Sequence, residues 1–239
     1  MLLKEKEIKE TVMEKINENS PIKPDGYRSV IKNKNFLALW IAQIFSQLAD
    51  RVIFVVFVAV IANKFVFAST TYQSLLYVAF TIPAVLLTAV AGVFIDKWNK
   101  KHVLIVTNIA RAFLIALLPL FSKTLFGIYA LAFMVSAITQ FFVPAEASTI
   151  PATVNKNQLL SANSLFTATM MGSIIFGFVL GDPLINIFGL KEVYIAISSL
   201  FIFSTISLMF MKYKPTEGEK RSIKHLKSSL MNLKKVLLI

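Results

Sequence analysis

Long apolar runs alternate with short charged breaks along this chain. Six runs, at residues 36–62, 72–95, 103–121, 125–144, 165–188 and 193–211, are dominated by Ala, Val, Leu, Ile and Phe. A helix that crosses a bilayer needs about 20 mostly apolar residues. Lipid offers no partner to backbone N–H and C=O groups, so runs of this length predict helices. A membrane β-barrel would show alternating segments of about ten residues, and the sequence lacks that alternation. The expected fold is therefore an all-α membrane protein of six transmembrane helices. It is framed by a tail over residues 1–35 and a basic segment over residues 212–239.

The two flanks carry weaker patterns. Ile8, Val12 and Ile16 recur every fourth residue, with Glu5 and Lys9 as an i,i+4 pair, and predict a short amphipathic helix. "SPIKPDG", residues 20–26, reads as a linker. Ile223, Leu226, Leu230, Leu233 and Leu237 form an apolar stripe among lysines. Such a basic amphipathic helix lies well on an anionic membrane surface. The closing "VLLI" resembles the first turn of a seventh span, cut short.

Composition agrees with a bilayer setting. The 239 residues are 56% hydrophobic and 16% charged, with a mean hydropathy of +0.68. Soluble domains carry about a quarter charged residues. No cysteine is present, which excludes a disulfide framework and a thiolate metal site. The net charge of +12 in a soluble protein would suggest nucleic acid. Here 20 of the 25 Lys and Arg residues fall on one set of flanks and loops, three on the other, and Arg51 and Arg111 within spans. Basic residues mark the cytoplasmic side, so both termini are expected in the cytoplasm, the chain in the inner (plasma) membrane, and nucleic acid is not a partner. No apolar stretch of signal-peptide length precedes Phe36.

Ionisable and amide groups inside spans are costly and mark function. Gln43, Gln47 and Asp50 recur at intervals of four and three, on one helical face. They line a cavity or bond adjacent helices. Asp50 lies about 21 Å along the first span, past the midplane and towards the outside. Asn108 and Arg111 are neighbours on the third span, and Arg111 needs a partner such as Asp50 or Glu146. Glu146 follows Pro144 at the expected end of the fourth span, where it is a proton site or a wetted interfacial residue. Ser173, Gly177 and Gly181 form a small-xxx-small pattern for close helix packing. Asp182 and Pro183 are expected to interrupt that helix. Zincin, Walker and nucleophile-elbow motifs are missing, so no enzyme and no cofactor are expected.

The turn "GVFIDKWNKK", residues 92–101, places Gly92, Asp96, Lys97, Lys100 and Lys101 between spans two and three. The pattern Gly-x-x-x-Asp-Lys-x-x-Lys-Lys resembles the loop motif of the major facilitator superfamily. Residues 33–55 and 141–165 resemble the first span and the span four–five connection of its bacterial drug and siderophore exporters. The resemblance implies two inverted three-helix repeats, spans 1–3 and 4–6, forming the N-terminal half of a two-half carrier. It implies proton-coupled export of a small molecule, with a missing C-terminal half or a second copy as partner. Gly92 and Asp96 would contact that other half, and Lys97, Lys100 and Lys101 would form a cytoplasmic charge relay. Asp50 would bind proton or substrate. The antiporter motif of the fifth span is incomplete: Ser173 replaces its first glycine and Phe178 its proline, around Gly177 and Gly181. A non-transporting truncated fragment and an uptake permease of the same fold are the alternatives.

Overall fold

A computed structural model describes residues 25–65, 70–190 and 192–215. The amphipathic patterns expected in residues 1–20 and 220–237, most of the linker and the closing apolar turn lie outside these residues. The described chain is helical throughout. After the short α1 (Tyr27–Lys32) come α2 (Lys34–Lys64), α3 (Thr70–Ile95), α4 (Lys100–Ala116) and α5 (Leu118–Phe121). A second series follows: α6 (Leu125–Thr153), a 3-10 turn (Lys156–Gln158), α7 (Leu159–Phe188) and α8 (Val193–Phe210). Five of these helices, all but α1, α4 and α5, are long and apolar enough to cross a membrane.

The third expected span is the exception. It is divided between the 17-residue α4 and the four-residue α5. Pro119 explains the break at Leu117: it has no N–H to donate to Ile115, and its ring crowds that carbonyl. Other prolines do not stop their helices. α6 runs through Pro144 and Pro151, and α7 through Asp182 and Pro183, so the expected interruption at Asp182 does not occur. Ser148 Oγ donates to Pro144 O at 2.6 Å and Gln140 Nε2 to Ser136 O at 3.1 Å. Both bonds run between residues four apart on α6, and membrane helices tolerate proline where the surrounding bundle holds the helix.

Hydrogen bonds define the two ends of the bundle. At one end Asn33 Nδ2 donates to Thr153 O at 2.7 Å, and Lys101 Nζ to Met211 O at 2.6 Å. α1 is fastened there too, with Gln158 Nε2 donating to Ser29 Oγ and Ser161 Oγ to Asp25 O. At the other end Lys64 Nζ donates to Ser122 Oγ at 2.6 Å. The chain passes from end to end with each long helix, and α4 with α5 makes the third passage.

α2 is central, packing chiefly on α7 and α8, while α4 bridges α6 and α8 and α3 lies along α6. Two apolar clusters fill the interior. One gathers Ala49–Ile61 side chains of α2 with Ile115, Leu131, Val135 and Phe201, and the other gathers Phe36, Leu39, Leu104, Phe142, Phe166 and Leu208. A polar belt separates them: Gln43, Ser46 and Gln47 on α2, Thr107, Asn108 and Arg111 on α4, Ser136 on α6, Ser204 and Thr205 on α8 are all buried. Outward faces are apolar, with Val85 and Ile187 each 74% exposed and Phe126 82%. Helices apolar on both faces suit lipid rather than water.

Candidate functional site: a charged cavity in the polar belt

Arg111 organises the belt. It projects from α4 and is fully buried. Its Nη1 donates to both carboxylate oxygens of Asp50, at 2.9 and 2.7 Å. Its Nη2 donates to Ser46 Oγ at 3.0 Å and to Asn108 Oδ1 at 2.6 Å. Asn108 Nδ2 in turn donates to Ser204 Oγ at 2.8 Å, and Ser204 Oγ to Ala42 O at 2.8 Å. The guanidinium carbon lies 4.3 Å from the Phe142 ring centroid and 4.6 Å from that of Phe201. Charge-assisted hydrogen bonds and cation–π contacts are the interactions that make a buried guanidinium tolerable. Of the two partners the sequence left open, the structure selects Asp50. The reason is spacing: Asn108, one turn before Arg111, and Ser46, one turn before Asp50, close the network on both helices.

Asp50 retains 18% side-chain exposure because its other side opens onto a cavity of about 410 Å³. Gln43, Gln47, Asp50 and Arg51 line it from α2, Glu146 from α6, and Asn163 and Phe166 from α7. Asp50 sits at mid-length of α2 rather than towards the outside, because the helix has 31 residues and about 21 Å is only half of its length. Glu146 is not a wetted helix end. α6 continues past it to Thr153, and only 5% of the residue is exposed. Three residues of the cavity wall carry buried polar atoms with no hydrogen-bond partner: Gln43 Oε1, Arg51 Nε and Glu146 Oε1. Gln43 spends its amide N–H on Phe166 O at 3.1 Å. Orphaned buried polar atoms are rare and mark a site that something else completes.

Ser173, Gly177 and Gly181 are buried along one face of α7. A Cβ on Gly177 would strike Arg51 Cβ, and one on Gly181 would meet Val55. These glycines thus set how closely α7 approaches the α2 face that carries Arg51.

The lysine-rich turn is elsewhere, at the end of the bundle. Asp96 N donates to Gly92 O at 3.3 Å as α3 ends, and Asn99 caps α4 by accepting from His102 N at 3.1 Å. Trp98 stacks on Phe141, 6.3 Å between centroids. The three lysines diverge. Lys97 is exposed, Lys100 is buried, and Lys101 holds Met209 O and Met211 O beyond α8. They do not form one row. Among the described residues nothing lies within 4 Å of a Cβ built on Gly92, so none of them makes the expected close packing on it.

Sequence reasoning missed Ser46, Ser204, Phe142 and Phe201. Ser46 shares the i,i+4 register of Asp50 and could have been found; the two phenylalanines look like ordinary core positions.

No solved structure matches the chain. Two curated proteins of Bacillus subtilis (strain 168) do. One, named an uncharacterized MFS-type transporter YkuC, is 27% identical over 177 residues, which cover 73% of this chain and 41% of that protein. The other, an uncharacterized MFS-type transporter YfiS, is 25% identical over 213 residues, covering 86% of this chain and 51% of that protein. The chain thus spans about half the length of these relatives. A sequence model described as Major Facilitator Superfamily matches residues 39–239. The buried polar belt between apolar helices, the turn motif and these matches agree: this is an integral membrane protein belonging to the Major Facilitator Superfamily.

Proposed function

We propose that the chain is the N-terminal six-span half of a proton-coupled exporter of small molecules. The observation that carries this reading is the buried Arg111–Asp50 pair whose carboxylate shares a cavity with a second buried carboxyl, Glu146, one oxygen of which has no partner. Buried ionisable groups inside a membrane bundle mark proton and substrate paths. Asp50 would exchange its Arg111 contacts for a proton when the cavity opens to water. The third passage supports six crossings: α4 alone spans about 25 Å at 1.5 Å per residue, and α5 extends it. The three passages up to α5 and the three from α6 would form the two inverted repeats. Basic residues concentrated at the end bearing Lys97 and Lys101 favour a cytoplasmic position for that end and for both termini in the plasma membrane.

The coverage of about half of each relative supports action beside a second six-helix unit, whether a further part of the protein or a second copy. Gly92 and Asp96 offer that unit an unfilled surface. Substrate would sit between the units, and rocking would expose it alternately to each side.

Everted vesicles containing the protein, loaded with an acid-inside pH gradient and screened with a panel of small organic solutes, test the reading. Export predicts solute accumulation with proton release, lost in Asp50→Asn. Unchanged accumulation in that variant removes Asp50 from coupling, and solute movement in the opposite sense identifies an uptake permease.

A further inference from the structure

The charges that face the cavity do not cancel in pairs. Asp50 is satisfied by Arg111, which contacts both of its oxygens. Arg51 and Glu146 remain, a guanidinium from α2 and a carboxyl from α6 lining the same cavity. Among the described residues neither forms an ion pair, with the other or with anything else. Each also holds a buried polar atom without a partner, Nε on Arg51 and Oε1 on Glu146. A third orphan, Gln43 Oε1, can only accept a hydrogen bond. Rotation about the soft terminal torsion of Glu146 presents its oxygen to the cavity, while Gln43 lines the cavity with its amide held on Phe166 O. Val143, Ile150, Phe166 and Met170 supply apolar wall.

Resting on the transporter reading above, we propose that this cavity takes a zwitterion: a small organic molecule with an ammonium group, an anionic group and an apolar body. The ammonium meets Glu146 and Gln43, whose free atoms accept. The anionic group, a carboxylate or a similar planar oxyanion, meets the Arg51 guanidinium. The apolar body lies against Phe166 and Met170. A ligand with one charge leaves either the guanidinium or the carboxyl without a charged partner, and charge without a partner in a buried site is costly. Discrimination therefore comes from the two charges together. The volume of about 410 Å³ suits a molecule of amino-acid to dipeptide size. Gly177 contributes indirectly, because its missing Cβ leaves room for the Arg51 stem.

The test is equilibrium binding to the purified full chain in lipid nanodiscs, without any gradient. The probes are phenylalanine, the dipeptide Phe-Phe, 2-phenylethylamine (no carboxylate) and 3-phenylpropionate (no amine). The expected result is saturable binding of an amphoteric probe, with each singly charged analogue at least about tenfold weaker, the loss of one charged hydrogen-bonding partner. Arg51→Gln should erase the preference for phenylalanine over 2-phenylethylamine. Glu146→Gln should erase its preference over 3-phenylpropionate. Size-exclusion elution and helical circular dichroism report whether the variants fold. If they do not, the wild-type comparison of four probes still decides. Equal binding of charged analogues, or binding of neither amphoteric probe at low millimolar concentration, overturns the proposal. Zwitterion binding without proton-linked transport would sink the exporter reading alone. Proton-linked transport of other solutes without zwitterion binding would sink this proposal alone.

Discussion

The polar belt and the lysine-rich turn are both rich in charge, and they handle it in opposite ways. In the belt, Arg111 is fully buried and held by Asp50, Ser46 and Asn108 from two helices. In the turn, Asp96 and Lys97 are exposed and Gly92 faces open space. Burial makes each charge in the belt depend on its partners, because an unpaired ion there has no water to fall back on. At the turn, water or a further protein surface can serve, so no internal partner is demanded. The belt is therefore where stability is at stake within this chain, and the turn is where this chain has surface to offer something else.

Breaking the pair should produce the largest effect. Arg111→Leu leaves Asp50 buried without its cation and should cost about 3–5 kcal/mol, read as a drop in the midpoint of thermal unfolding of detergent-purified protein. Adding Asp50→Leu should restore most of that loss, since an apolar pair of similar volume often replaces a buried ion pair without penalty. A double variant no better than Arg111→Leu would show that the pair is not the coupled unit described. Next comes Gly177→Ala, whose Cβ collides with Arg51; overpacking of this kind costs about 1–3 kcal/mol. If thermal stability and ligand affinity are both unmoved, α7 does not fix the position of Arg51. Ser204→Ala removes a link between α8, Asn108 and the α2 backbone, and interhelical hydrogen bonds in membranes contribute about 1 kcal/mol. A double-variant cycle with Asn108→Ala should show that this effect is shared rather than additive. The smallest effect belongs to the turn. Gly92→Ala meets nothing among the described residues and sits in the last helical turn of α3, so it should be neutral or stabilise by up to about 1 kcal/mol. If the same substitution abolishes transport while raising stability, the open face at Gly92 is where a second helical unit docks.

The sequence by itself determined the helical membrane character, five of the six expected spans, and the place of the turn, because burial in lipid leaves long apolar runs one backbone solution. It also marked Gln43, Gln47, Asp50, Arg111 and Glu146 as out of place among apolar neighbours. What it could not settle was which of these groups meet. The choice of Asp50 over Glu146 for Arg111, the placing of the Phe142 and Phe201 rings against its guanidinium, and the meeting of Arg51 and Glu146 in one cavity depend on helix rotation and approach. Those are set by packing between residues more than sixty positions apart, such as Gly177 against Arg51 and Ser204 against Ala42. Proline shows the same division. Pro119 lies at a break between two helices and Pro144 inside one continuous helix, a difference that the proline residues alone do not announce.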